Sequence, residues 1–362
     1  MTKIGIDASP LQSLSGGISY YVFFILDELI CLNEEDQFFL FVEKVSDQVL
    51  YFNKYSNVTI LPFSTFRLGH SIWSQTMLAF ACWKYRIDAF WATTQSVPLI
   101  KRSTMKTVLT LYDFVYLLHP ETMSPYQRIY FKVFLKWMLR TANVILPISK
   151  GTQIKLEQFY GLKSMDVISP PIKREIYYRE DIEKVLNKYR LSRKEYVITI
   201  GTFEPRKNLV GLIKVYIDLL SKGASLYPLV MIGKGGWKNK EILKVMSNAL
   251  KSYPGQFMQI TDANDVDLAY LLSGARYSIL VSKYEGYGMP LAESRVCKTA
   301  TICLDQPEMR EATENNGVFL NPNFWSEEIR EYLKKDSPLM QVLEPQYESN
   351  KAKALKLAAA LK

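Results

Sequence analysis

Ser282-Lys283-Tyr284-Glu285-Gly286-Tyr287-Gly288-Met289-Pro290-Leu291-Ala292-Glu293 is the stretch that decides how this chain is read. It follows a short apolar run, 278–281, that reads as a strand, and Pro290 suits the first turn of a helix over 290–296. Glu285 is therefore expected in the loop at the strand's carboxyl end, and Glu293 in the first turn of the helix. Gly286 and Gly288 leave backbone amides open to a ligand. A carboxylate can accept hydrogen bonds from two neighbouring hydroxyls, the feature that separates sugars from most small molecules. Two carboxylates at different depths therefore suit two diols, with phosphates at the helix end between them. A capping role explains Glu293 poorly, because a capping box wants Ser, Thr, Asp or Asn at the cap and Met289 is none of these.

The same grammar of strand, loop and helix runs outward in both directions. Strands are expected at 3–7, 38–42, 58–61, 89–91, 107–111, 144–147 and 166–169, with helices at 18–32, 72–85, 125–141 and 151–160. After Pro170-Pro171 and the charged stretch 173–193 the pattern restarts. Strands are expected at 196–200, 229–232, 257–260, 278–281 and 301–304, and helices at 208–221, 240–251, 265–273 and 290–296. Strand alternating with helix implies parallel sheets covered on both faces. The expected fold class is α/β, with two Rossmann-like domains. The expected boundaries are 1–172 for the first domain, 173–194 for a linker, 195–345 for the second domain and 346–362 for a C-terminal helix rich in Ala, Leu and Lys.

Ligands of doubly wound sheets bind outside the carboxyl ends of the strands. The first strand is followed by Ser15-Gly16-Gly17-Ile18, where adjacent glycines let backbone N–H groups approach an anion. Strand 196–200 ends in Gly201-Thr202-Phe203-Glu204-Pro205-Arg206-Lys207-Asn208. Two adjacent cations beside a helix start oppose the macrodipole, so an anion is expected to compensate, either a phosphate or Glu204. Asp265-Val266-Asp267 has the form of a metal-binding D-x-D but falls where acids favour a helix start, and no metal is expected.

Composition narrows the chemistry further. The chain has 362 residues and only two histidines, His70 and His119, which disfavours His-dependent hydrolases and metalloproteases. Cys31, Cys82, Cys297 and Cys303 have no C-x-x-C spacing, which fits a reducing cytoplasm without a disulfide framework or zinc site. No G-x-G-x-x-G fingerprint points to a nicotinamide dehydrogenase. No apolar run is long enough to span a bilayer, and the strand expected at 3–7 leaves no secretory signal. The net charge of +9 is spread through the chain, with 16 basic against 13 acidic residues up to Ile172 and 29 against 23 beyond it. That spread argues against a nucleic-acid-binding arm and suits an anionic small ligand or an acidic membrane surface. On the helix expected at 125–141, Arg128, Lys132, Lys136 and Arg140 form a basic stripe that suits a peripheral membrane contact or a solvated outer face.

Taken together, Gly16-Gly17, the Gly201–Asn208 motif, Gly233-Lys234-Gly235-Gly236-Trp237 and the Glu285–Glu293 segment resemble the family 4 retaining glycosyltransferases, most of all bacterial surface-polysaccharide mannosyltransferases. The resemblance spans nearly the whole chain. It implies a glycosyltransferase-B fold, with two Rossmann-like domains facing across a cleft and the C-terminal helix crossing back to the first. It also implies a nucleoside-diphosphate sugar as substrate, no cofactor, and transfer with retention to a glycan or lipid-linked oligosaccharide. By the same resemblance, Arg206 and Lys207 contact the donor diphosphate, Glu285 faces the donor sugar, and Glu293 holds the ribose hydroxyls. Gly16, Gly17, Gly201, Thr202, Gly286, Tyr287, Gly288 and Leu291 complete the donor site.

The family's His-Asp pair is replaced here by Tyr112-Asp113, both assigned to catalysis, although a tyrosine does not titrate near neutral pH. His119 is a loop residue that could substitute. Cys297-Lys298-Thr299-Ala300 departs from the family's small residue followed by Gly and Pro. GDP-mannose leads as donor, with UDP-glucose and dTDP-rhamnose behind it. A non-catalytic nucleotide-sugar binder, a basic nucleic-acid-binding protein, and a phosphorylase or epimerase of the same fold are the competing readings.

Overall fold

The computed structural model describes residues 1–13, 16–63, 70–98, 100–123, 125–335 and 340–362, so Ser15 lies outside the described residues, as does the side chain of His70. The chain divides into two compact units. One comprises Met1–Leu117, Pro125–Pro171 and Tyr347–Lys362; the other comprises Leu118–Ser124 and Ile172–Gln346.

The first unit is built on six parallel strands: β1 (Lys3–Asp7), β2 (Gln37–Val42), β3 (Val58–Pro62), β4 (Ala89–Ala92), β5 (Lys106–Leu111) and β6 (Val144–Pro147). Phe38, Leu40, Phe41 and Val42 are all buried, as a sheet covered on both faces requires. Helix Gly17–Leu32 buries Tyr21, Val22, Ile25 and Leu29. It packs against the C-terminal helix Asn350–Leu361, which Ser349 caps by accepting the Ala352 N–H. Buried Lys353 of that helix reaches the Pro170 carbonyl at 3.1 Å.

The second unit repeats the plan with β7 (Val197–Ile200), β8 (Leu229–Ile232), β9 (Phe257–Ile260), β10 (Tyr277–Leu280), β11 (Ala300–Leu304) and β12 (Val318–Leu320). The orders are β3-β2-β1-β4-β5-β6 and β12-β11-β10-β7-β8-β9. Numbered within its own unit, each sheet has the doubly wound order, whose switch point lies between its first and fourth strands. Those strands are β1 and β4 in the first unit, and β7 and β10 in the second.

Three expectations need correction. Residues 166–169 form no strand: Met165 and Ile168 each donate one backbone bond to β6 carbonyls, but Pro170 and Pro171, lacking N–H groups, stop a ladder from growing. The three-residue edge strand β12 was not expected. The stretch 173–194 is no free linker, since Ile176, Ile182, Leu186 and Leu191 sit in the core of the second unit beside Tyr196, Val230 and Leu272. Among the described residues, no helix is long and apolar enough to cross a membrane.

Candidate active site

The switch point of the second unit brings two distant motifs together. β7 and β10 are neighbours, with Val197 opposite Tyr277 and Ile198 opposite Ser278, so the loops after them leave the sheet side by side. The two loops are joined by the Lys283 N–H, which donates to the Arg206 carbonyl at 2.8 Å. Glycines allow this crowding. Gly201 and Gly233 have φ of +148° and +153°, and a Cβ on Gly233 would overlap the Gly201 carbonyl oxygen. A side chain on Gly201 would meet the stem of Lys207, whose Cε lies 3.3 Å from the Cβ position. Pro205–Lys207 make one 3₁₀ turn, and Asn208, left-handed at φ 55°, turns the chain into helix Leu209–Ser221.

The side chains close into an ionic cluster. Arg206 Nη1 donates to the Tyr284 carbonyl at 2.7 Å and to Glu285 Oε2 at 2.8 Å, while Nη2 donates to Glu204 Oε1 at 2.6 Å. Lys207 Nζ donates to Glu285 Oε1 at 2.6 Å. Glu285 is only 6% exposed. Burial pushes its carboxyl up, but Lys207 and then Arg206 outweigh burial and hold it down at about 2. Of the two partners expected for the cations, a phosphate or Glu204, the structure shows Glu204 on Arg206, and Glu285 joins both cations unanticipated.

Glu293 has the opposite environment. The helix starts one residue earlier than expected, at Met289, with left-handed Gly288 as its cap, so Glu293 is its fifth residue rather than part of the first turn. It is 5% exposed, and burial raises its carboxyl to about 7, with Lys173 pulling down and Asp265 pushing up. Lys173 and Asp265 are themselves paired at 2.6 Å. Lys173 was missed as a site residue because it falls in the stretch expected to be a linker. Leu291, Tyr287 and Tyr284 are buried around this loop, and Thr202 is exposed.

Asp265 and Asp267 stand in the first turn of helix Asp265–Gly274, where Asn264 caps the Asp267 N–H and Asp267 pairs with Lys188. His119 packs 6.3 Å from the Tyr284 ring and pairs with Glu121 at 3.2 Å, and Lys238 Nζ donates to the Glu121 carbonyl at 2.8 Å, contacts within the second unit.

The remaining assigned residues lie in the first unit. Gly16 is extended and caps helix Gly17–Leu32, and a Cβ on either glycine would meet open space. Tyr112 is buried edge-on to Tyr21 at 5.6 Å, and its hydroxyl has no hydrogen-bond partner among the described residues. Burial, then Tyr21 and Asp7, push its ionisation further from neutrality. Asp113 accepts the Val115 N–H at 3.0 Å and so starts the turn Val115–Leu118. The switch point of this unit also holds a buried carboxylate that no motif singles out. Asp7 ends β1 and accepts from Ser9 Oγ and Thr94 Oγ1, both at 2.6 Å.

Residues 181–346 match the family model of glycosyl transferases group 1. The O-antigen chain mannosyltransferase B of Escherichia coli is 28% identical over 223 residues, 60% of this chain and 58% of that protein. The serotype-specific mannosyltransferase WbdA of the same organism is 26% identical over 226 residues, 60% of this chain and 28% of that protein. The matches thus span less than two thirds of these relatives' own length. Among solved structures, Anabaena Alr3699/HepE in complex with UDP and glucose superposes with a TM-score of 0.70 at 15% identity, covering 100% of this chain and 99% of that one. The two doubly wound units are those of the glycosyltransferase-B fold, and residues 181–346 of the second unit match a glycosyl transferases group 1 domain.

Proposed function

We propose that the chain is a retaining hexosyltransferase that moves mannose from GDP-mannose to a glycan or lipid-linked oligosaccharide in surface-polysaccharide assembly. The observation that carries the reading is the cluster in which Arg206 and Lys207 converge on Glu285 at the switch point of the second unit. Breaking the donor's glycosidic bond loads negative charge onto the departing diphosphate. A guanidinium fork and a point charge already fixed in place stabilise that charge without reorganising. The Lys207 ammonium has three N–H donors and gives one to Glu285, so a phosphate oxygen can join the cluster without dismantling it. Glu285, held ionised, accepts hydrogen bonds from sugar hydroxyls. Glu293 accepts from the ribose pair once it has lost its proton. The amides of Gly286–Gly288 border the same loop, and no metal or other cofactor is assigned a step.

The mannosyl donor is favoured by the names of the Escherichia coli relatives. UDP-glucose and dTDP-rhamnose are the alternatives. The test is a thermal-shift screen with GDP, UDP and dTDP, followed by transfer assays with the matching sugar nucleotides. Stabilisation by GDP and transfer of mannose are expected. Nucleotide binding without hydrolysis or transfer would instead identify a non-catalytic sugar-nucleotide binder.

The acceptor side of the proposal places the protein on the cytoplasmic face of a membrane. Helix Pro125–Thr141 exposes Arg128, Lys132, Lys136 and Arg140 and, one position on from the first three, apolar Ile129, Val133 and Trp137. Such a pairing of basic and apolar stripes suits the surface of acidic lipids. Flotation with acidic liposomes should be lost on charge reversal of Lys132 and Lys136; equal flotation would remove this role.

A further inference from the structure

The first unit carries a groove of about 620 Å³, within the range of small-molecule sites and lined by none of the residues assigned above. Helix His70–Lys84 contributes Ala79, Phe80, Cys82 and Trp83, and the segment before β5 contributes Ile100, Lys101, Arg102 and Met105. Its apolar walls are open to water: Trp83 is 68% exposed and Ile100 81%. Isolated exposed apolar residues need no explanation, but three large ones, with Phe80, around one concavity mark a binding surface.

The cations of the groove indicate the charge of its occupant. Arg102 Nη1 is buried and has no hydrogen-bond partner among the described residues. Lys101 Nζ is held by neutral acceptors, Thr107 Oγ1 at 2.7 Å and the Thr141 carbonyl at 2.8 Å. The latter contact ties the groove to the last residue of helix Pro125–Thr141. A buried guanidinium nitrogen lacking an acceptor is costly, and a phosphate oxygen would satisfy it.

We propose that this groove binds the hydrocarbon chain of a single-chain anionic lipid, whose phosphate is taken by Arg102 and Lys101. This deepens the reading of the acceptor as lipid-linked and gives the lipid portion a seat of its own.

The test is calorimetric titration of the full chain with alkyl phosphates of eight to twelve carbons, below their micellar thresholds. The expected result is one saturable site that tightens roughly two- to four-fold per added methylene. Ala79→Trp, which fills the groove, should weaken dodecyl phosphate at least ten-fold; surface Ile100→Ala, which leaves the core untouched, should weaken it several-fold. Arg102→Gln should reduce the preference for dodecyl phosphate over dodecanol. Inorganic phosphate binding as tightly as dodecyl phosphate, or affinity independent of chain length, would overturn the proposal. So would flotation on acidic liposomes without any alkyl phosphate binding. The membrane reading fails separately: if alkyl phosphates bind and liposomes do not, the groove stands and the surface role of helix Pro125–Thr141 falls.

Discussion

Glu285 and Glu293 lie eight positions apart and are almost equally buried, yet one is held at about 2 and the other raised to about 7. The difference is one of neighbours. Glu285 lies in the loop after β10, beside the loop after β7, and there receives Lys207 and Arg206 directly. Glu293, one helical turn inside Met289–Val296, has only Lys173 to offset its desolvation, and Asp265 opposes that help. Burial sets the size of the stake for both carboxylates, and the cation count sets its sign. A carboxylate fixed in the ionised state suits a constant partner of sugar hydroxyls. One poised near neutrality must lose its proton to hold a diol, so nucleotide binding should strengthen as pH rises through about 7.

The largest effect should come from removing the cation that dominates on Glu285. Lys207→Ala should lower turnover by about 10²–10³-fold while circular dichroism stays native. Near-native turnover in that variant would refute the role assigned to the cluster.

Replacing Glu293 sharpens the contrast. Its raised carboxyl contributes stability that is full below the unfolded value, near 4.3, and is lost as pH rises through about 7. Glu293→Gln should therefore flatten the fall in melting temperature across that window and weaken nucleotide binding above it. Glu285 has the opposite sign, contributing stability above the unfolded value that disappears as pH falls toward about 2. A variant profile parallel to the native one between those limits would show that Glu293 is not the group titrating.

Lys173→Met should act on the same profile more gently, moving its midpoint upward by about one pH unit because a compensating cation is gone. An unchanged midpoint would detach Lys173 from the site. The smallest effect is expected in the first unit. Tyr112→Phe deletes an unpartnered buried hydroxyl, so stability should rise by about 1 kcal/mol with turnover within a few-fold of native. A ten-fold loss of transfer would instead support the catalytic role expected for Tyr112.

The legible part of this molecule was local. β-branched and apolar runs marked eleven strands to within a residue or two at each end, because buried parallel strands must be apolar throughout. Glycine and proline positions marked the loops that leave β7 and β10. What the sequence could not show was pairing across long separations. The contact of Lys207 with Glu285 depends on β7 lying beside β10, a consequence of winding order and not of either motif. Lys173 reads as linker because its charged neighbours hide the spaced apolar residues Ile176, Ile182 and Leu186 that anchor the stretch. Strand β12 was lost for its brevity, and 166–169 was overread because two prolines beyond it end the ladder.

The claim that the paired cations of the second unit grip a diphosphate is tested most directly by comparing GDP and GMP in calorimetric titrations of the native chain and Lys207→Ala. GDP should bind the native chain at least ten-fold more tightly than GMP, and the variant should lose most of that preference. A preference of the same size in both proteins would contradict the assignment.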